Sequence, residues 1–259
     1  MSERGSVADP PAATYADYAA DRECPRFTDW LRARSGESWD AATTHRFVRE
    51  LHADTVDDAV FRRYLLQDYA FLETLVGVFG YAVGDAPTMA ARSRLIDFLG
   101  TLTGDENDYF ERSFAALDVP ERESADPALT ETTAAFRDLL LRAAREGGYA
   151  ETLAVLVPAE WVYLDWATGE AASAGSDDGP DRFYLDEWVE LHATAEFETF
   201  VGWLRRELDR AGAAASDRRQ ARLAASFSRT VDLEVAFFEA AYEDATSVEP
   251  PAADAIGDR

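Results

Sequence analysis

Residues 61–83, FRRYLLQDYAFLETLVGVFGYAV, form an apolar run with a carboxylate near its middle. Phe61, Leu65, Asp68, Leu72, Leu75 and Phe79 recur at the three-and-four spacing of one buried helix face. That spacing commits the chain to a long helix packed against others, with Asp68 on the packed side. A carboxylate there is costly unless something hydrogen-bonds it. A second stripe, Leu223, Phe227, Val231, Glu234 and Phe238, carries a second acid in the same way. Two helices far apart in sequence thus aim acidic groups at the interior, as expected of a chain that surrounds a polar ligand.

The rest of the chain reads as helix and short loop. Thr43 or Thr44 is placed to cap a short helix carrying Phe47, Val48 and Leu51. Thr55 is placed to cap the long helix, with Asp57 and Asp58 in its favourable first turn. Gly84 and Pro87 separate it from a helix over about 88–117. Further helices are expected over 128–145, 149–173, 184–211 and 216–244, with a turn at Gly147-Gly148 and a loop at Ala174–Pro180. Strand-period alternation and internal repeats are absent. The pattern predicts an all-α bundle, with one helical domain over 14–245. Residues 1–13 and 246–259 are expected to be disordered.

Charge narrows the partners. Lys+Arg number 25 against Asp+Glu 50, a formal net charge of -25, and every basic residue is arginine. So acidic a surface repels itself at low salt and suits the salt-rich cytoplasm of a halophile. Nucleic acid and anionic membranes require a basic surface, so neither is an expected partner. Without lysine, Schiff-base chemistry is excluded. The single Cys24 permits no intramolecular disulfide and fits a reducing compartment. No signal-like or membrane-length apolar segment is evident, so a cytoplasmic protein is expected.

The segment Glu151–Trp166, ETLAVLVPAEWVYLDW, is the most unusual. Pro158 interrupts a strong helical pattern, and Ala159 and Tyr163 follow one turn apart on a shared face. This segment resembles the signature of the TenA (thiaminase II) family, proline–cysteine–any–tryptophan–any–tyrosine. YLLQDYAFL around Asp68 resembles the same family's YxxQDxxYL. FSRTVDLEVAFFEAAY resembles its last helix, and RFVREL after His45 its HPFVxxL. These matches fall in one order over about residues 26–244. The resemblance implies a haem-oxygenase-like, all-α bundle, a homotetramer, and salvage of the aminopyrimidine half of degraded thiamin.

Carried over by position, the resemblance gives Asp68 the pyrimidine's ring nitrogen and amino group, Glu234 the catalytic carboxylate and Tyr163 the tyrosine beside the nucleophile. Ala159 stands where the family has its cysteine. Phe71, Phe136 and His192 stand where it has tyrosines. A thiolate mechanism is therefore excluded at this position, leaving carboxylate acid–base catalysis. Glu160 is either a second catalytic carboxylate or a solvent-facing helix residue. Phe71 and Phe136 are expected to sandwich the ring and Tyr163 to orient its polar edge. His192 reads more readily as a structural histidine, His45 as a helix cap and His52 as solvent-facing.

This fold also hosts di-iron and haem enzymes. A di-iron site usually includes a Glu-x-x-His pair. The residues three before the histidines are Ala42, Arg49 and Val189, so no metal or other cofactor is expected. The expected activity is hydrolysis of the amine or formamide of an aminomethyl-pyrimidine. The alternative is a non-catalytic pyrimidine-binding homologue.

The charge excess gives a direct test. Raising salt from about 0.1 M to about 1 M shortens electrostatic screening from about 10 Å to about 3 Å. Tm should rise across that range. A Tm that is flat or falls in a sodium chloride series would contradict the reading.

Overall fold

In the computed structural model, which describes residues 12–20, 22–169 and 182–243, the chain is a succession of helices. They are α1 (Tyr15–Ala20), α2 (Phe27–Ser35), α3 (Glu37–Thr43), α4 (Arg46–His52), α5 (Asp58–Asp85), α6 (Met89–Thr103), α7 (Asp105–Ala116), α8 (Glu121–Ala125), α9 (Glu131–Arg142), α10 (Tyr149–Thr168), α11 (Phe183–Ala193), α12 (Ala195–Ala213) and α13 (Asp217–Ala240). A π-helical turn, Ala143–Gly147, joins α9 to α10 through Gly148, whose φ of 87° favours glycine. Of the segment 1–13, residues 1–11 lie outside the described residues, as do the 174–180 loop and the 246–259 tail. Ala12 is docked, its carbonyl accepting a hydrogen bond from Trp30 Nε1 at 3.0 Å.

The bundle is organised around α10. Every side chain from Thr152 to Tyr163 is buried, and a helix that is apolar all round belongs inside. It packs against α3, α5, α11, α12 and α13. Pro158 does not interrupt it: α10 runs unbroken through the proline. The missing N–H still leaves the Ala154 carbonyl, one turn earlier, without its usual helical donor. Both acid-bearing stripes lie inward, and each of their residues is buried.

Several boundaries differ from the sequence reading, each for a local reason. The cap of α4 is not Thr43 or Thr44 but His45, as its reading as a helix cap had it, with Nδ1 accepting from the Phe47 amide at 3.1 Å. Its Nε2 meets Glu239 at 3.1 Å, tying α4 to α13. The cap of α5 is Asp57, accepting from the Ala59 amide at 2.8 Å. Thr55 instead closes α4: its amide donates to the Glu50 carbonyl at 2.8 Å, with Asp54 left-handed at φ 53°. The expected 88–117 helix breaks at Gly104, where a Cβ would stand 3.0 Å from the Gly100 carbonyl. The expected 184–211 helix breaks at Thr194, whose hydroxyl caps α12 by accepting from the Phe197 amide at 3.1 Å. His52 is buried rather than solvent-facing, its Nε2 donating to the Trp166 carbonyl at 3.1 Å.

Gln67, beside Asp68, registers α5 against α9. Its Oε1 accepts from the Thr130 amide at 2.9 Å and the Thr133 hydroxyl at 2.7 Å, and its Nε2 donates to the Ala128 carbonyl at 3.0 Å.

The two candidate caps of α5 can be told apart by denaturant unfolding. Asp57→Ala should cost about 1 kcal/mol, the usual loss for an N-cap. Thr55→Ala should cost less. The reverse order would contradict this assignment.

Candidate active site

α5, α7, α10 and α11 meet along one cavity of about 500 Å³, whose far wall is built by α6 and α12. Its lining includes Asp68, Phe71, Glu106, Ala159, Glu160, Tyr163, Trp188 and His192. Six of the eight residues singled out from the sequence therefore share one wall. Glu234 and Phe136 are buried and do not line it.

Asp68 is 5% exposed. The Tyr163 hydroxyl approaches its Oδ1 at 3.5 Å, and the Tyr64 and Tyr163 hydroxyls meet at 2.8 Å. Burial pushes the Asp68 carboxyl up to about 7, against the opposing pull of hydrogen bonds from Tyr163 and Tyr64. Tyr64 lies one turn before Asp68 on the same face, a spacing visible in the sequence but not used to select it.

Glu160 is not the solvent-facing residue that the sequence allowed. It is 7% exposed, because α10 has no solvent face at this level. Burial, then the nearby Asp68, raises its carboxyl to about 8. Its Oε1 has no hydrogen-bond partner among the described residues. Glu234, 1% exposed, also has an unpartnered Oε1. It is held well above the usual carboxylate range by burial, then by Asp68 and Glu160.

Glu106 is a further acid that the sequence reading missed. It enters the site because Gly104 ends α6 and starts α7 two residues earlier. Burial, then Glu160 and Asp68, pushes its pKa well up. The sequence signal was a glycine followed by acids at a helix start, easily taken for ordinary dipole-favourable charge.

The aromatic groups are arranged differently from expectation. Phe71 and Phe136 touch, with ring centroids 4.7 Å apart at 49°. Two rings clasping a third must stand about 7 Å apart, twice the van der Waals spacing. Phe71 offers a face to the cavity and Phe136 buttresses it from behind. His192 donates from Nδ1 to the Trp188 carbonyl at 2.8 Å, and burial pushes it down to about 4. It is therefore a neutral ring, 4.9 Å from Tyr163. Ala159 presents a methyl group beside Glu160. Cys24 is exposed in the segment before α2. No helix among the described residues is long and apolar enough to cross a membrane.

The family model described as TENA/THI-4/PQQC matches residues 32–244. An aminopyrimidine aminohydrolase of Halalkalibacterium halodurans is 27% identical over 221 residues, 84% of this chain and 96% of that one. A TenA homologue from P. horikoshii OT3 superposes with a TM-score of 0.74 at 25% identity, covering 84% of this chain and 98% of the other. A Shewanella denitrificans domain of unknown function with a heme oxygenase-like fold superposes at 0.61 with 12% identity, covering 83% and 91%. The bundle is thus haem-oxygenase-like.

The raised acids make stability depend on pH. A carboxyl whose pKa is higher folded than unfolded keeps its proton longer in the folded state. The stability it contributes is complete below about 4, the unfolded value. It is lost as pH rises through about 7 for Asp68 and about 8 for Glu160. Unfolding free energy should fall between pH 4 and 8 by this route, and Asp68→Asn should flatten the slope. A variant with the parent's slope would contradict the assignment.

Proposed function

The chain belongs to the TENA/THI-4/PQQC family, and we propose that it hydrolyses the exocyclic C–N bond of a thiamin-derived aminopyrimidine. The observation that carries the reading is the convergence on one cavity of Asp68 and Tyr163, at positions matching the family's motifs, and of Glu160 beside the family's cysteine position. Asp68, oriented by Tyr163 and Tyr64, receives the ring's polar edge. Phe71 supplies an apolar face for the flat ring. Glu160 faces the substituent, and Glu234 lies within its electrostatic reach.

The chemistry requires no covalent intermediate on the protein, since Ala159 offers no nucleophile. Water adds through oxygen to the exocyclic methylene carbon as the C–N bond breaks, and the bonding pair leaves with nitrogen. A carboxylate takes the proton from water, and a carboxylic acid supplies one to the departing amine. Glu160, its carboxyl raised to about 8, suits both tasks. Glu160, on the cavity wall, is assigned to this exchange at the substrate, and Glu234, buried off that wall, is assigned to support it electrostatically. An N-formyl substrate would be cleaved at its carbonyl–nitrogen bond by the same two groups. The resemblance further supports a homotetramer.

Ala159 also favours a second reading, a homologue that binds pyrimidines without turnover. Chromatography after incubation at high salt separates the two. Aminomethyl-pyrimidine should yield hydroxymethylpyrimidine, and the N-formyl derivative its deformylated amine or that same alcohol. Glu234→Gln and Glu160→Gln should each lower kcat/KM by about a hundredfold or more. Tight binding with no product from either compound would overturn the hydrolase in favour of the silent binder.

A further inference from the structure

The cavity is lined by many more acids than its proposed chemistry uses. Asp68, Glu106 and Glu160 come from three different helices, and Asp97, Asp105 and Glu196 are exposed on the same lining. The single cation on that lining among the described residues, Arg94, is directed elsewhere. It donates to the Thr199 carbonyl at 3.2 Å and lies 5.5 Å from the Trp203 ring. Among the described residues, no basic group lies within ion-pairing distance of Asp68, Glu106 or Glu160 (nor of Glu234), whereas many surface acids have an arginine partner. Glu160 Oε1 is buried and unpartnered, and Glu106 lies near enough to feel its charge.

Uncompensated acids on a shared wall carry an electrostatic cost. A cation between them converts mutual repulsion into attraction, and low-dielectric walls focus the field toward it. We propose that Glu106 and Glu160 form a subsite for a protonated amine, so that the site selects an alkylammonium substituent on the pyrimidine over a neutral one. This rests on the proposed pyrimidine site and adds Glu106 to it as a specificity-determining residue. It also separates two substrates that the acid–base reading treats alike: aminomethyl-pyrimidine carries the cation, and its N-formyl derivative does not. An ammonium held here arrives with its leaving group already protonated, so the remaining task is to accept a proton from water.

Calorimetric titration in a Glu234→Gln background, with wild-type turnover followed separately, tests the proposal. The probes are aminomethyl-pyrimidine and its neutral near-isostere hydroxymethylpyrimidine. The amine should bind at least about tenfold more tightly, the scale of a charge-assisted hydrogen bond. Adding Glu106→Gln should bring that ratio close to one while leaving the affinity for hydroxymethylpyrimidine unchanged. Should the first variant not fold, Glu160→Gln in its place should likewise bring the ratio of the two affinities toward one. Equal affinities in the parent, or a preference that survives both substitutions, would overturn the ammonium subsite. Absence of product from wild-type protein would instead overturn the hydrolase reading, because these dissociation constants do not depend on turnover.

Discussion

The hydroxyls of Tyr163 and Tyr64 are what make a buried Asp68 tolerable. An unsatisfied carboxylate in the middle of α5 would cost several kcal/mol and favour exposure of that face. Two tyrosines from two helices offset part of the cost. Tyr64 rises from α5 itself and Tyr163 from α10, so the polar cluster also registers the long helix against the central one. Gln67 repeats this function one residue away, fixing α5 to the start of α9. Helix registry thus comes from two adjacent polar positions of α5.

Much of this was legible in the sequence, and the exceptions share a cause. The Asp68 and Glu234 stripes were readable because a helical period places every fourth or third residue on one face. Glu160 was ambiguous because its direction depends on whether α10 has a solvent face, and only the packing of the neighbouring helices removes it. Glu106 was invisible because its position follows from the break at Gly104, which the helical pattern of 88–117 ran through. Phe71 lines the cavity and Phe136 does not, because the two rings pack on each other, and ring-to-ring contact is a tertiary fact. His52 was misplaced for the same reason: the end of α10 covers it. Period and composition define faces, whereas the choice among faces belongs to the assembled bundle.

Ala159 offers the cavity no nucleophile. Ala159 keeps the backbone of α10 in place, and the neighbouring position supplies a carboxyl in the cavity wall. Asp68, Glu106, Glu160 and Glu234 each raise the pKa of at least one other or are raised by one, so the site titrates as a group. Neutral His192, committed through Nδ1 to a backbone carbonyl, contributes shape and a hydrogen-bond acceptor rather than charge. The site is a collective acid with an aromatic wall.

The central claim is that a pyrimidine occupies this cavity with its polar edge on Asp68. A crystal structure of the protein soaked with aminomethyl-pyrimidine tests that most directly. The account predicts ring density against Phe71, a ring nitrogen and amino group within hydrogen-bonding distance of Asp68, and the aminomethyl nitrogen directed at Glu160 and Glu106. Ligand bound elsewhere, or bound here with Asp68 uncontacted, would contradict it.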